Sequence, residues 1–155
     1  MEINLEKAAI SDVEEIHKMQ VKAFLPLLEK YQDYDTNPAS EPSEKIKWRM
    51  EMENSWYYFI MAGKEKIGAV RIRKKDEWYS LSPISILPEY QGKGYGQQAI
   101  VAAETLYPEA KRWRLDTIKQ EEKLLHLYRK MGYCLTGEER IVNERTTLVD
   151  LEKII

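Results

Sequence analysis

Polar and apolar positions change period several times along this chain, and each change marks an element. Glu2 to Ala8 alternates weakly, with Ile3, Leu5 and Lys7 on one side, and suits a first strand. Ser11 or Asp12 can then cap a helix whose first turn carries Glu14 and Glu15. Val13, Ile16, Gln20, Ala23 and Leu27 fall on one stripe of that helix, with Phe24 beside it. From Pro26 to Pro42 the periodicity lapses into an acidic, aromatic loop bearing Tyr31, Asp33, Tyr34 and Asp35. Glu44 to Glu53 reads as a second helix bearing Ile46, Trp48 and Met50. Three strand patterns follow: Trp56 to Ala62, Ile67 to Arg73, and Trp78 to Leu87. The short turns between them predict antiparallel neighbours.

After Leu87 the helical period returns. Gly94 to Leu106 carries Ile100, Ala103 and Tyr107 on a stripe with Val101 flanking, and Pro108 stops it. Arg112 to Ile118 is a strand. Glu121 to Met131 is a helix with Leu124, Leu127, Tyr128 and Met131 on one face, and Gly132 caps it behind Arg129 and Lys130. Tyr133 to Glu138 and Thr146 to Leu151 close the chain as strands. The predicted order is β-α-α-β-β-β-α-β-α-β-β. The strand–helix–strand passage from Trp78 to Ile118 is a crossover, which predicts parallel or splayed strands there. The fold class is a mixed α+β sheet with helices on its faces.

A length of 155 residues suits one domain, and 43% hydrophobic with 32% charged residues is ordinary for a soluble protein. A net charge of −2 gives no reason to expect a nucleic-acid partner. Arg71, Arg73, Lys74 and Lys75 are basic, but Asp76 and Glu77 follow, so the run reads as a solvated hairpin end. With Cys134 alone, an intrachain disulfide is impossible, which fits a reducing compartment. Cys134 reads as a buried or half-buried apolar residue. His17 and His126 stand apart, and no cluster has metal-ligand spacing, so no metal is expected. No stretch reaches the ~18 apolar residues of a membrane span, and no signal-peptide run opens the chain. The expectation is a cytoplasmic protein with no membrane partner.

The chemistry concentrates in Ile84-Ser85-Ile86-Leu87-Pro88-Glu89-Tyr90-Gln91-Gly92-Lys93-Gly94-Tyr95-Gly96. A strand ends and alternating glycines open a helix. Glycine admits positive φ and the close approach of a ligand. The first amides of a helix lack internal partners and form a nest for phosphate oxygens, with Lys93 adding charge at the rim. A phosphate-binding P-loop is excluded, because Lys93 is followed by Gly94 and no glycine precedes at the required spacing. Gly94-x-Gly96-x-x-Ala99, with Asp116 downstream, also fits a dinucleotide fingerprint. The break at Pro88 and the antiparallel hairpins before it disfavour that reading.

Gln91-x-x-Gly94-x-Gly96 resembles motif A of the GNAT superfamily, the general N-acetyltransferases, in which Gln or Arg precedes two residues, Gly, one residue, then Gly or Ala. Ile86-Leu87-Pro88-Glu89-Tyr90 is similar to the family's lead-in. Leu127-Tyr128-Arg129-Lys130-Met131-Gly132-Tyr133 is similar to its Leu-Tyr-x-Lys-x-Gly-Phe/Tyr segment. The element order also agrees over nearly the whole chain. The resemblance implies a single N-acetyltransferase domain over residues 1–155, an acyltransferase that takes acetyl-CoA as cosubstrate.

The resemblance further implies that backbone amides of Gln91, Gly92, Lys93, Gly94, Tyr95 and Gly96 hold the coenzyme A pyrophosphate. A bulge in the preceding strand, which Pro83 would mark, frees the amides of Ile84 and Ile86 for the pantetheine and the acetyl carbonyl. Tyr128 matches the family tyrosine that points at the coenzyme sulfur, and a phenol there can protonate the departing thiolate; the alternative is that it merely packs. Some family members place a Glu base in the strand where Ser80 stands here. Glu77, Glu89, a water chain or Tyr79 remain open, so the base is unassigned. Glu121 replaces the Asn with which many relatives begin the helix. By analogy the acceptor is a primary amine of a small molecule or peptide, drawn to Tyr31, Asp33, Tyr34 and Asp35. A non-catalytic acyl-CoA-binding or sensing module on the same fold is the rival. The aromatic strands are compatible with a homodimer.

Overall fold

In the computed structural model, which describes residues 2–155, the strands and helices follow the predicted order. They are β1 (Ile3–Lys7), α1 (Val13–Tyr31), α2 (Ser43–Glu51), β2 (Ser55–Ala62), β3 (Glu65–Lys75) and β4 (Trp78–Ile86). Then come α3 (Tyr95–Leu106), β5 (Arg112–Ile118), α4 (Glu122–Lys130), β6 (Cys134–Ile141) and β7 (Thr147–Ile154). The seven strands form one sheet in the order β1-β2-β3-β4-β5-β7-β6. Every neighbouring pair is antiparallel except β4 and β5, which the α3 crossover makes parallel. That parallel pairing covers only Tyr79 with Trp113 and Ser80 with Arg114.

Helices cover both faces of the sheet. Ala99, Ile100 and Ala103 of α3 pack on Val70, Ile72 and Leu81, with Trp113 and Tyr133 fully buried among them. Val13, Ile16 and Met19 of α1, and Ile46 of α2, pack on Tyr57, Phe59 and Ala69 from the other side. A two-faced core changes what alternation means, because neither side of β3 faces solvent along its middle. Arg71 is therefore buried rather than part of a solvated hairpin end; its Nε donates to Ser55 Oγ at 3.0 Å. Lys74 and Lys75, beyond the helices' reach, are exposed as expected.

Two other expectations change, for α1 and for Cys134. Helix α1 does not yield to a loop at Pro26 but runs through it to Tyr31. Pro26 removes one helix hydrogen bond, yet Leu28 and Tyr31 beyond it are buried, and that packing holds the last turn. Trp48 points outward from α2, while Ile46 carries the buried face. Cys134 is exposed, because β6 is the sheet's edge and no helix covers it. No helix among the described residues is long and apolar enough to cross a membrane.

Candidate active site

The site grows from an irregularity in β4. Val70 pairs with Ile84 and Ile72 with Leu81, so β4 holds one residue more than β3 between these pairs. The bulge falls at Ser82-Pro83, where proline has no amide to give to the ladder. Past Ser80, β4 also loses β5, which continues instead against β7. The two strands diverge and open a cleft between them.

Backbone alternation decides what faces the opening. The Leu87 amide donates to Ile67 O at 2.9 Å, so Leu87, and Ser85 with it, direct their peptide groups toward β3. Ile84 and Ile86 direct theirs the other way, into the space that β5 has vacated. The Ile86 carbonyl on that side accepts from Gln91 Nε2 at 2.7 Å, which ties the turn to the strand end.

Gly92 and Gly94 of that turn have φ of 75° and 81°, values that favour glycine. Gly94 begins α3 with no side-chain cap, so the first amides of the helix are open. A Cβ on Gly92, Gly94 or Gly96 would meet nothing within 4 Å. The room above the turn therefore suits close approach of a phosphate-bearing ligand, and the turn fits a coenzyme A pyrophosphate. Gln91, Gly92, Gly94, Tyr95, Gly96, Ile84 and Ile86 all line one cleft of about 900 Å³. Lys93 does not line it; its ammonium lies 5.9 Å from the ring centroid of Tyr90, which does.

Tyr128 reaches the same cleft from α4. Its backbone is fixed by a Schellman motif at the helix end. Gly132, with φ of 97°, donates to Arg129 O at 3.0 Å, and Tyr133 donates to Tyr128 O at 3.0 Å. Tyr133 is fully buried, and its hydroxyl donates to Glu104 at 2.8 Å. The motif thereby anchors Tyr128 to the core. Burial, and then the Asp116 carboxylate, push the Tyr128 phenol up to about 12.

The carboxylates that line the cleft are all engaged. Asp116 accepts from Ser82 Oγ at 3.0 Å and pairs with Arg140 at 3.0 Å. Glu41 pairs with Arg49 at 2.7 Å. Asp33 accepts from the amides of Asp35 and Thr36 and from the Thr36 hydroxyl, which fixes its own turn. Glu121 accepts from the Tyr31 hydroxyl and from Lys30 Nζ at 2.9 Å. Glu77 and Glu89 are exposed turn residues. Tyr79 lies on the α3 face, where its hydroxyl donates to Glu109 at 2.9 Å and burial raises it to about 12. It is absent from the cleft wall, which removes it as a base.

The acidic loop also departs from expectation. Tyr31 is the last residue of α1, Tyr34 is 67% exposed, and Asp35 points to solvent. Asp33 lines the cleft with both oxygens already used. What the sequence did not suggest is that Arg49, Arg71 and Arg73 line the same cleft.

Glu121 has a structural task. It joins the start of α4 to the end of α1, whose last carbonyls also receive Asn143 Nδ2 at 3.1 Å. Burial opposes ionisation of Glu121, but the Tyr31 hydroxyl and the Lys30 ammonium outweigh it and hold its pKa below the ordinary value of 4.5. A depressed pKa contributes stability above about pH 4.5 that is lost as pH falls through the folded value. We expect Glu121→Gln to cost about 1.5–3 kcal/mol at pH 7, the scale of a hydrogen bond to a charged group. Urea unfolding at pH 7 and pH 4 checks this, since the deficit should shrink at the lower pH.

Solved structures share the fold. An acetyltransferase from Thermus thermophilus is 16% identical, with 100% of this chain and 98% of that one covered and a TM-score of 0.76. PaiA N-acetyltransferase from Thermoplasma acidophilum, in complex with coenzyme A, is 18% identical over 100% of both chains, at 0.75. Mutant forms of the spermidine/spermine N-acetyltransferase SpeG from Vibrio cholerae are 18% identical, covering 99% and 94%, at 0.72. No curated protein matches the sequence. The family model described as Acetyltransferase (GNAT) family matches residues 14–133, from the start of α1 past the glycine turn to the Schellman tyrosine. The chain belongs to the GNAT acetyltransferase family and is an acyltransferase.

Proposed function

We propose that this chain, acting as a single domain, transfers the acetyl group of acetyl-CoA to a primary amine of a small molecule or peptide by direct attack. The observation that carries this reading is the cleft where β4 and β5 part, with an uncapped glycine turn at one end. Among the fold neighbours, one N-acetyltransferase is in complex with coenzyme A and others are spermidine/spermine N-acetyltransferases, which supports this donor and an amine acceptor.

Acetyl-CoA supplies a thioester carbon and a thiolate leaving group. The amides of Gln91 to Gly96 hold its pyrophosphate, with the Lys93 ammonium adding positive charge near the turn. The Ile84 and Ile86 amides hold the pantetheine and the carbonyl oxygen, where negative charge develops as the amine nitrogen bonds to carbon. The carbon–sulfur bond then breaks, and the Tyr128 phenol donates a hydrogen bond to the sulfur. The nitrogen's proton passes to water, because each carboxylate lining the cleft is already engaged.

With a panel of primary amines, thiol release should require both acetyl-CoA and amine. Its kcat/KM should rise about tenfold per pH unit until the pH reaches the acceptor's own amine pKa. Coenzyme A that raises the Tm while no amine releases thiol would replace this reading with the binding module.

A further inference from the structure

Arg71 is only 9% exposed, yet among the described residues it forms no ion pair with a carboxylate. Its Nε donates to the neutral Ser55 hydroxyl, and one terminal nitrogen lies 3.7 Å from Met52 Sδ. A guanidinium carries five donors, so these contacts leave most of its hydrogen-bonding capacity unused. Burying a cation without a counter-ion is costly. Burial is the largest influence on Arg71 and, with Arg49 and Arg73 adding to it, lowers its pKa to about 10, which leaves it protonated at neutral pH.

The neighbouring carboxylates form no ion pair with it. Glu41 is taken by Arg49, and Asp33 by its own turn. The cleft wall therefore carries three neighbouring guanidiniums beside Glu41, which is already engaged. A purely structural arginine holding Ser55 would need no such company, nor a place on the wall of the main cleft.

Position supplies the rest. Arg71 lies between Val70 and Ile72, whose β4 partners are Ile84 and Leu81, so it sits opposite the Ser82-Pro83 bulge. Neighbouring strands are ~4.8 Å apart. The Arg71 backbone thus lies one strand spacing from the bulge, and its side chain, held at Nε by Ser55, lines the same cleft as Ser82 and Pro83.

We propose that Arg71, flanked by Arg49 and Arg73, is the site for a carboxylate on the acceptor, which is an amino acid. The inference rests on the acetyl-transfer reading above. The guanidinium holds the carboxylate in a charge-assisted, bidentate geometry while the amino group of the same molecule reaches the bulge in β4. A polyamine has no anion to offer and would bring its positive charges against three guanidiniums. The acceptor of this chain therefore differs in class from spermidine.

The experiment uses the full chain saturated with coenzyme A. The proteinogenic amino acids and their matching α-carboxamides are compared by thermal shift, which needs no turnover, and with acetyl-CoA by thiol release. At least one amino acid should raise the Tm while its amide does not, and the KM of the amide should be at least about tenfold higher. Arg71→Gln should erase the difference between acid and amide while keeping the Tm rise caused by coenzyme A, and Arg71→Lys should restore part of it. Should Arg71→Gln fail to fold, the acid–amide comparison on the unmodified chain decides alone. Equal behaviour of acids and amides, or thiol release confined to amines lacking a carboxylate, overturns the proposal and leaves acetyl transfer standing. A Tm rise with the acid alone, without thiol release from any amine, keeps the carboxylate site and overturns acetyl transfer.

Discussion

Gly68→Ala should destabilise the protein by at least about 3 kcal/mol, the upper part of the range for forced overpacking. A Cβ built at Gly68 would lie 1.9 Å from Ser85 O and 3.2 Å from Ile86 Cα. Both obstacles are backbone, so no rotamer change relieves the contact. Gly68 also borders a bulge, since Ile60 pairs with Gly68 and Met61 with Lys66. The strand must either part from β4 or carry Ile84 to Ile86 with it. For a chain of this size the Tm should fall by roughly 10 °C, measured by differential scanning calorimetry. A variant that melts with the unmodified protein would show that β3 and β4 can separate at no cost. The change should also weaken coenzyme A binding, because it displaces the amides that line the cleft.

The second large effect is on turnover. Tyr128→Phe should lower kcat about a hundredfold, the lower end of the range for losing one hydrogen-bond donor to developing negative charge, and leave coenzyme A affinity unchanged. The reason lies in its pKa of about 12. Full proton transfer to a thiolate whose thiol titrates near ~8.5 would be uphill by about 5 kcal/mol. Tyr128 therefore assists as a hydrogen-bond donor to the departing sulfur rather than as its final proton source. A raised pKa also keeps the phenol protonated as pH increases, so activity should persist above about pH 10, where an ordinary tyrosine would ionise. Pre-steady-state thiol release across pH checks both points. An unchanged kcat at every pH would make Tyr128 a packing residue.

Much of the fold was legible because its signals were local. Turn residues between strand patterns set the hairpins, and the change of period after Leu87 set the crossover. Pro83 marked the bulge because proline denies an amide to any ladder. The two motif segments placed Tyr128 and the glycine turn in one cleft, where the structure also has them. What escaped detection depends on distant partners. Arg71 alternates with Val70 and Ile72 as a solvent-facing residue would, and only the packing of α1 and α2 on that face buries it. Neighbouring Arg73, Lys74 and Lys75 disguised it further as part of a surface run. Tyr31 looked like a loop residue because Pro26 precedes it, while its partner Glu121 is 90 residues away. Gly68 attracted no notice, because the carbonyl that excludes a side chain there belongs to another strand.

The brevity of the β4–β5 pairing has a mechanical consequence. Backbone pairing at only two positions, with the Ser82–Asp116 hydrogen bond beyond it, joins a four-stranded half-sheet to a three-stranded one. Such a seam resists bending poorly, and the α3 crossover and the shared core supply most of the stiffness across it. A molecule lying in the cleft and bonding to the Ile84 and Ile86 amides would act as a splint, taking the place of the missing strand. The rigidity of the two halves relative to one another then becomes a property of the loaded protein, and the ligand becomes in effect the eighth strand of the sheet.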